Sequence, residues 1–228
     1  MASTVQSSQQ GTRKKSTDSA AVVAGLRESI SRGELVPNQR LIETDISHEF
    51  NASRATVRAA LAELTTEGLV ERIQNRGARV RAVSVAEAVE IIEVRGALEG
   101  ICAAKAAELV TDEDIDELRT LARTMTEAVT SGDLLQYSEW NKTLHRRIVE
   151  LSGQQTAAGL ISRLRGQNVR HQFRLVMQPG RPSVSLSEHV DIIDAVCARD
   201  PQRAAAVMEQ HLQSVADAIV KASDSPRQ

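Results

Sequence analysis

From residue 85 almost to the C-terminus, apolar side chains recur three and four positions apart. That period is the period of a helix face turned to a core. The first stripe runs through Ala88, Ile91, Ile92, Leu98 and Cys102. Thr111-Asp112-Glu113-Asp114 is a capping pattern that opens a second helix along Ile115, Leu118, Leu121, Met125 and Val129. Gly132-Asp133 breaks it, and a third helix carries Tyr137, Leu144, Ile148 and Val149. After Gly153 a fourth carries Leu160, Ile161, Leu164, Val169, Phe173 and Val176. Beyond the Pro179-Gly180-Arg181-Pro182 loop a fifth carries Leu186, Val190, Ile193 and Val196. Asp200-Pro201 opens the last, with proline at N1 and a stripe of Val207, Met208, Leu212, Val215 and Ile219. No alternating strand pattern or solenoid repeat interrupts the series. The expectation is an antiparallel all-α bundle of six or seven helices over 84–222, with a flexible tail at 223–228.

Composition agrees: aromatics are 2%, with Gly 12 and Pro 5, which argues against an all-β chain and for a mainly α protein. It also argues against stacking on single-stranded nucleic acid. The N-terminus lacks an apolar signal segment, and no apolar run approaches a membrane span, so the expectation is a cytoplasmic protein without a membrane partner. Cys102 and Cys197 lie far apart in apolar helical stretches and read as small core residues in a reduced compartment.

The net charge of -2 hides a split. Up to Arg81 there are 12 Lys/Arg against 9 Asp/Glu, a net of +3; the remainder carries 16 against 21, a net of -5. That asymmetry points to two domains with different partners. Residues 1–17 are polar and read as a disordered arm, in which Arg13-Lys14-Lys15 is either a phosphate contact or a solvated tail.

The basic third, 18–83, has a distinct pattern. Val23, Leu26 and Ile30 predict a helix over about 18–32, and Pro37-Asn38 predicts a turn. A short helix follows over 43–50. Ser53 is a fit N-cap for a third helix with Val57, Ala60, Leu61 and Leu64 on one face. Arg54 and Arg58, four apart, share another face. After Gly68, residues 69–73 and 78–81 alternate as short strands around a turn at Gln74-Asn75-Arg76-Gly77. Three helices and a hairpin wing in this order form a winged helix-turn-helix. Arginines in the first turns can read guanine edges in the major groove. Ser53, Thr56 and nearby amides suit phosphate oxygens, and Arg76 at the wing tip suits a phosphate or the minor groove.

Leu41-Ile42-Glu43, Ser53-Arg54-Ala55-Thr56-Val57-Arg58-Ala59-Ala60-Leu61, Glu67-Gly68-Leu69-Val70 and Asn75-Arg76-Gly77-Ala78-Arg79-Val80 resemble the winged-helix signature of the GntR family. The resemblance implies a homodimeric transcription regulator, not an enzyme, on a short palindromic double-stranded operator. It implies DNA contacts from Ser53, Arg54, Thr56, Arg58, Asn75, Arg76 and Gly77. Four positions depart from the family: Asn38 and Asn51-Ala52 stand where glycine and Gly-Val are usual, and Ala59 replaces a common glutamate.

In the acidic remainder the histidines are the unusual residues. Asn141 and His145 share a face of the third bundle helix, His189 sits on the fifth stripe and His211 on the sixth. Burying neutral imidazoles without partners would cost a few kcal/mol, at about 1–3 kcal/mol per unpaired group. A divalent ion bound through the ring nitrogens removes that cost, and three histidines with an oxygen ligand suit zinc or nickel. Arg95 also lies on an apolar stripe. Either it pairs with Glu99 four residues on, or it binds the carboxylate of a small ligand bidentately. Val94-Arg95-Gly96-Ala97-Leu98-Glu99, Asn141 to His145, Glu188-His189 and His211-Leu212 resemble the FCD effector domain of the FadR subfamily. The resemblance implies metal ligation by Asn141, His145, His189 and His211, with Arg95 holding a small organic acid effector. The first ligand is more often aspartate in that family. The expected function is a metabolite-responsive regulator, in the repressor class, hinged near residues 82–86. The rival readings are a regulator whose signal is the ion itself, a purely structural site, and a mononuclear metal hydrolase.

Overall fold

The computed structural model describes residues 17–73 and 77–224. The basic third folds as expected, with one added strand. Helix α1 (Ser19–Ser31) is capped by Asp18, whose carboxylate accepts from Ala21 N. Strand β1 (Arg40–Leu41) and helix α2 (Glu43–Glu49) precede α3 (Arg54–Thr66), β2 (Val70–Ile73) and β3 (Gly77–Val80). Sequence reading gave two strands; β1 adds a third, pairing antiparallel with β3 in the order β1-β3-β2. Val22, Val23, Leu26, Val57, Ala60, Leu61, Leu64, Val70 and Val80 close its core. Asn38 and Asn51 have φ of 68° and 48°. These two of the departing positions thus fall in the left-handed region, which asparagine tolerates better than most residues.

Seven helices form the remainder: α4 (Val85–Leu109), α5 (Asp112–Ser131), α6 (Leu134–Leu151), α7 (Gln155–Gln167), α8 (Val169–Val176), α9 (Arg181–Cys197) and α10 (Pro201–Asp224). The stretch read as one fourth helix is two, α7 and α8. Asn168 parts them and turns its amide inward to the Ala88 carbonyl at 3.3 Å. The last helix runs through Asp224, so Ser223 and Asp224 belong to it and not to the tail. The capping box at Thr111 and Asp114 is formed in full. The two-residue link between α5 and α6 makes them antiparallel neighbours.

Helix α4 is central and buried on several sides. Its small residues let α10 lie close along it: a Cβ added at Gly100 would meet Glu209 Oε1 at 2.8 Å. Between the two units, residues 81–84 belong to no helix or strand, and α4 starts at Val85 with Ser84 as its N-cap. Of the segment 82–86 expected to act as a hinge, Val85 and Ala86 are helical. Likewise Thr17, assigned to the arm, donates to the Asn51 carbonyl at 3.3 Å. No helix among the described residues is long and apolar enough to cross a membrane.

Candidate DNA interface and candidate metal and effector site

Helix α3 buries Val57, Ala60, Leu61 and Leu64 and leaves Arg54, Arg58 and Ala59 exposed. Ser53 Oγ accepts from Thr56 N at 3.1 Å, which fixes the first turn. Arg58 is 61% exposed, with Glu43 3.8 Å away. The helix start thus offers two arginines and a threonine to one surface. Gly77 is exposed at the base of the wing with φ 88°. Asn75 and Arg76 lie outside the described residues.

In the bundle, α6, α9 and α10 bring the three expected histidines together. Ring nitrogens of His145, His189 and His211 all lie within 4.8 Å of one another, and all three rings are buried. Each Nδ1 is already engaged. That of His145 donates to Glu99 Oε2 at 2.5 Å, and that of His211 donates to Glu188 Oε2 at 2.8 Å. His189 Nδ1 lies 3.0 Å from the Tyr137 hydroxyl. With Nδ1 tied to a carboxylate, Nε2 of His145 and His211 keeps a bare lone pair, the arrangement that orients a histidine for a metal. Burial lowers the pKa of His145 to about 4 despite the attraction of Glu99. It lowers those of His189 and His211 as well, so all three rings are neutral near pH 7.

His189 Nε2 and Asn141 Oδ1 are buried with no hydrogen-bond partner, and so is Arg95 Nη1. Orphaned acceptors beside three convergent imidazoles fit the expected ion: the donor set is three nitrogens and an amide oxygen. Glu188 of α9 reaches His211 on α10 and lies 3.2 Å from Arg181 at the start of its own helix.

A cavity of about 580 Å³ lies over this cluster, lined among others by Arg95, Asn141, His145, Arg165 and His211. Arg95 donates from Nε and Nη2 to Glu99 Oε1 at 2.8 and 2.6 Å. The intrahelical pair considered above is therefore present, but it leaves Nη1 unused. Glu99 is held well below the usual carboxylate range by Arg95 and then His145, against a larger opposing effect of burial.

The winged helix shares this cavity, because Arg27 and Glu28 of α1 form part of its wall. Arg27 also pairs with Glu67 at 2.6 Å, and Gln167 at the end of α7 donates to the Glu67 carbonyl at 2.6 Å. Nε2 of His171 lies 3.1 Å from the Val83 carbonyl in the connector.

The sequence profile of the bacterial regulatory proteins of the gntR family matches residues 18–80, and that of the FCD domain matches residues 90–214. The chain belongs to the GntR family and carries an FCD domain. The HTH-type transcriptional repressor RspR of Escherichia coli K12 is 27% identical over 194 residues, 85% of each chain. The Nta operon transcriptional regulator of Aminobacter aminovorans is 26% identical over 205 residues, 84% of this chain and 95% of that one. The structure of E. coli McbR/YncC superposes with a TM-score of 0.78 at 22% identity, covering 90% of this chain and 98% of that one. As a GntR-family member with regulators as relatives, the chain is a DNA-binding transcription regulator and not an enzyme. The hydrolase reading is set aside.

Proposed function

We propose that this regulator is a repressor that binds a palindromic operator as a homodimer and is controlled by a small organic acid bound over a divalent metal. The observation that carries the reading is the cluster of three neutral imidazoles with engaged Nδ1 atoms, beside the orphaned Asn141 Oδ1 and Arg95 Nη1. Asn141, His145, His189 and His211 would hold the ion, zinc or nickel by donor type. When bound, that ion supplies a Lewis-acidic anchor for a carboxylate oxygen. Arg95 offers the carboxylate Nη1, and its Nε and Nη2 stay on Glu99, which keeps the guanidinium in place. A cavity of about 580 Å³ favours a ligand, rather than the ion alone, as the signal.

Arg54 and Arg58 read bases, while Thr56, Ser53, the amides at the start of α3, and Asn75, Arg76 and Gly77 of the wing hold the backbone. A dimer supplies two recognition helices for two half-sites. The ligand regulates by favouring one placement of the winged helix over another, through a cavity wall to which α1 contributes. The test is elemental analysis of the purified protein together with operator binding across a panel of organic acids. About one zinc or nickel ion per chain, and an acid that shifts operator affinity only in metal-loaded protein, support the reading. Metal-free protein whose melting temperature ignores added zinc and nickel would sink it.

A further inference from the structure

Six cationic side chains line the cavity, and five of them, Arg27, Arg95, Lys142, Arg146 and Arg181, lie within 4.0 Å of a glutamate oxygen. Arg165 is the sixth. Among the described residues its side chain makes no ion pair and no hydrogen bond, although it lines the same cavity as Arg95. The nearest anionic influence on it is Glu99. That carboxylate is already engaged at both oxygens, Oε1 by two donors of Arg95 and Oε2 by His145 Nδ1, and no bond from it to Arg165 is formed. Burial costs Arg165 enough to draw its pKa down to about 10, despite the pull of Glu99.

Charge counting sharpens this. Arg95, Arg165 and Glu99 together leave one positive charge in excess on this side of the cavity wall. The neutral histidines and Asn141 add no negative charge, and a divalent ion would add two positive ones. A monocarboxylate neutralises only part of that excess. An unpaired, half-buried charge is costly, so the site is built for a more anionic occupant.

We propose that Arg165 is a second anion anchor and that the effector is a small dicarboxylate, with one carboxylate at Arg95 and the other at Arg165. The proposal rests on the effector reading above and names its ligand class. Calorimetry on full-length, metal-loaded protein tests it, using malonate, succinate, glutarate and adipate against propionate, butyrate, valerate and hexanoate. A 3-phosphonopropionate arm distinguishes a phosphoryl from a carboxylate second group.

The best-fitting diacid should bind about tenfold or more tightly than its matched monoacid. Arg165→Gln should bring that ratio to within about twofold while sparing monoacid affinity, and Arg165→Lys should restore part of it. Equal affinity for diacids and monoacids in the wild type overturns the proposal without any variant and leaves the effector reading standing. A preference that survives Arg165→Gln overturns the role of Arg165. Tighter binding of 3-phosphonopropionate than of succinate overturns the dicarboxylate class. If no acid of either kind binds, the effector reading falls and takes this proposal with it.

Discussion

Gln167 donates from Nε2 to the backbone carbonyl of Glu67 at 2.6 Å, tying the end of α7 to the residue that closes the recognition helix α3. This bond joins a helix of the cavity wall to the helix that presents Arg54 and Arg58. Gln167→Ala should weaken the docking of the two units by about 1 kcal/mol. Proteolysis within the connector 81–84 should then be several-fold faster, with metal content unchanged. Equal cleavage rates would mean that this bond does not hold the units together.

Replacing Arg54 or Arg58 by alanine should cost operator binding about 1–3 kcal/mol each, in line with loss of a bidentate base contact. Both side chains are exposed, so the melting temperature should move little. Gel-shift titration and thermal melts on the same preparations separate the two effects.

Metal removal should destabilise the bundle, because the same orphaned acceptors that fit an ion are left bare without it. At a hundredfold excess over the dissociation constant, an ion contributes about 2.7 kcal/mol. For a chain of this size that corresponds to a fall of roughly 5–10 °C on chelation, restored by zinc or nickel. His189→Ala should abolish the difference between chelated and loaded protein.

Much of this was legible in the sequence, for physical reasons that also mark its limits. The inward placement of His145, His189 and His211 follows from helical periodicity alone, since each sits between apolar neighbours on its stripe. What their Nδ1 atoms touch does not. Glu99, Glu188 and Tyr137 reach them from other helices, and that depends on how the helices are set against one another. The break at Asn168 was hidden because Val169 continues the apolar spacing of α7; its cause is a tertiary bond to Ala88. Strand β1 has two residues, too few to show a period. Arg165 lies in the polar run Ser162-Arg163-Leu164-Arg165-Gly166-Gln167 and reads as a solvated charge until the cavity is seen.

Acid should reveal the capping box of α5. The Asp114 carboxyl is held below its ordinary value of 3.8 by hydrogen bonds from the Thr111 hydroxyl and backbone amide, with Arg147 adding to them. In the unfolded chain this group takes up its proton first as pH falls. The stability it gives is therefore present above about pH 4 and lost as pH drops through the lowered value. Asp114→Asn should cost about 1 kcal/mol near neutral pH and flatten the acid limb of a melting curve series. Parallel curves for variant and wild type from pH 6 to 2.5, measured with the metal chelated, would contradict this.

The presence of Arg27 and Glu28 in the cavity wall means that the pocket is not the property of one domain. Its shape is partly set by where the winged helix rests. An operator that holds the winged helix in one pose therefore acts on the pocket as surely as a ligand acts on the operator. By linkage the two influences are equal in magnitude. DNA would in this sense be a second ligand of the proposed acid site, and the affinity measured for any acid should depend on whether the operator is present.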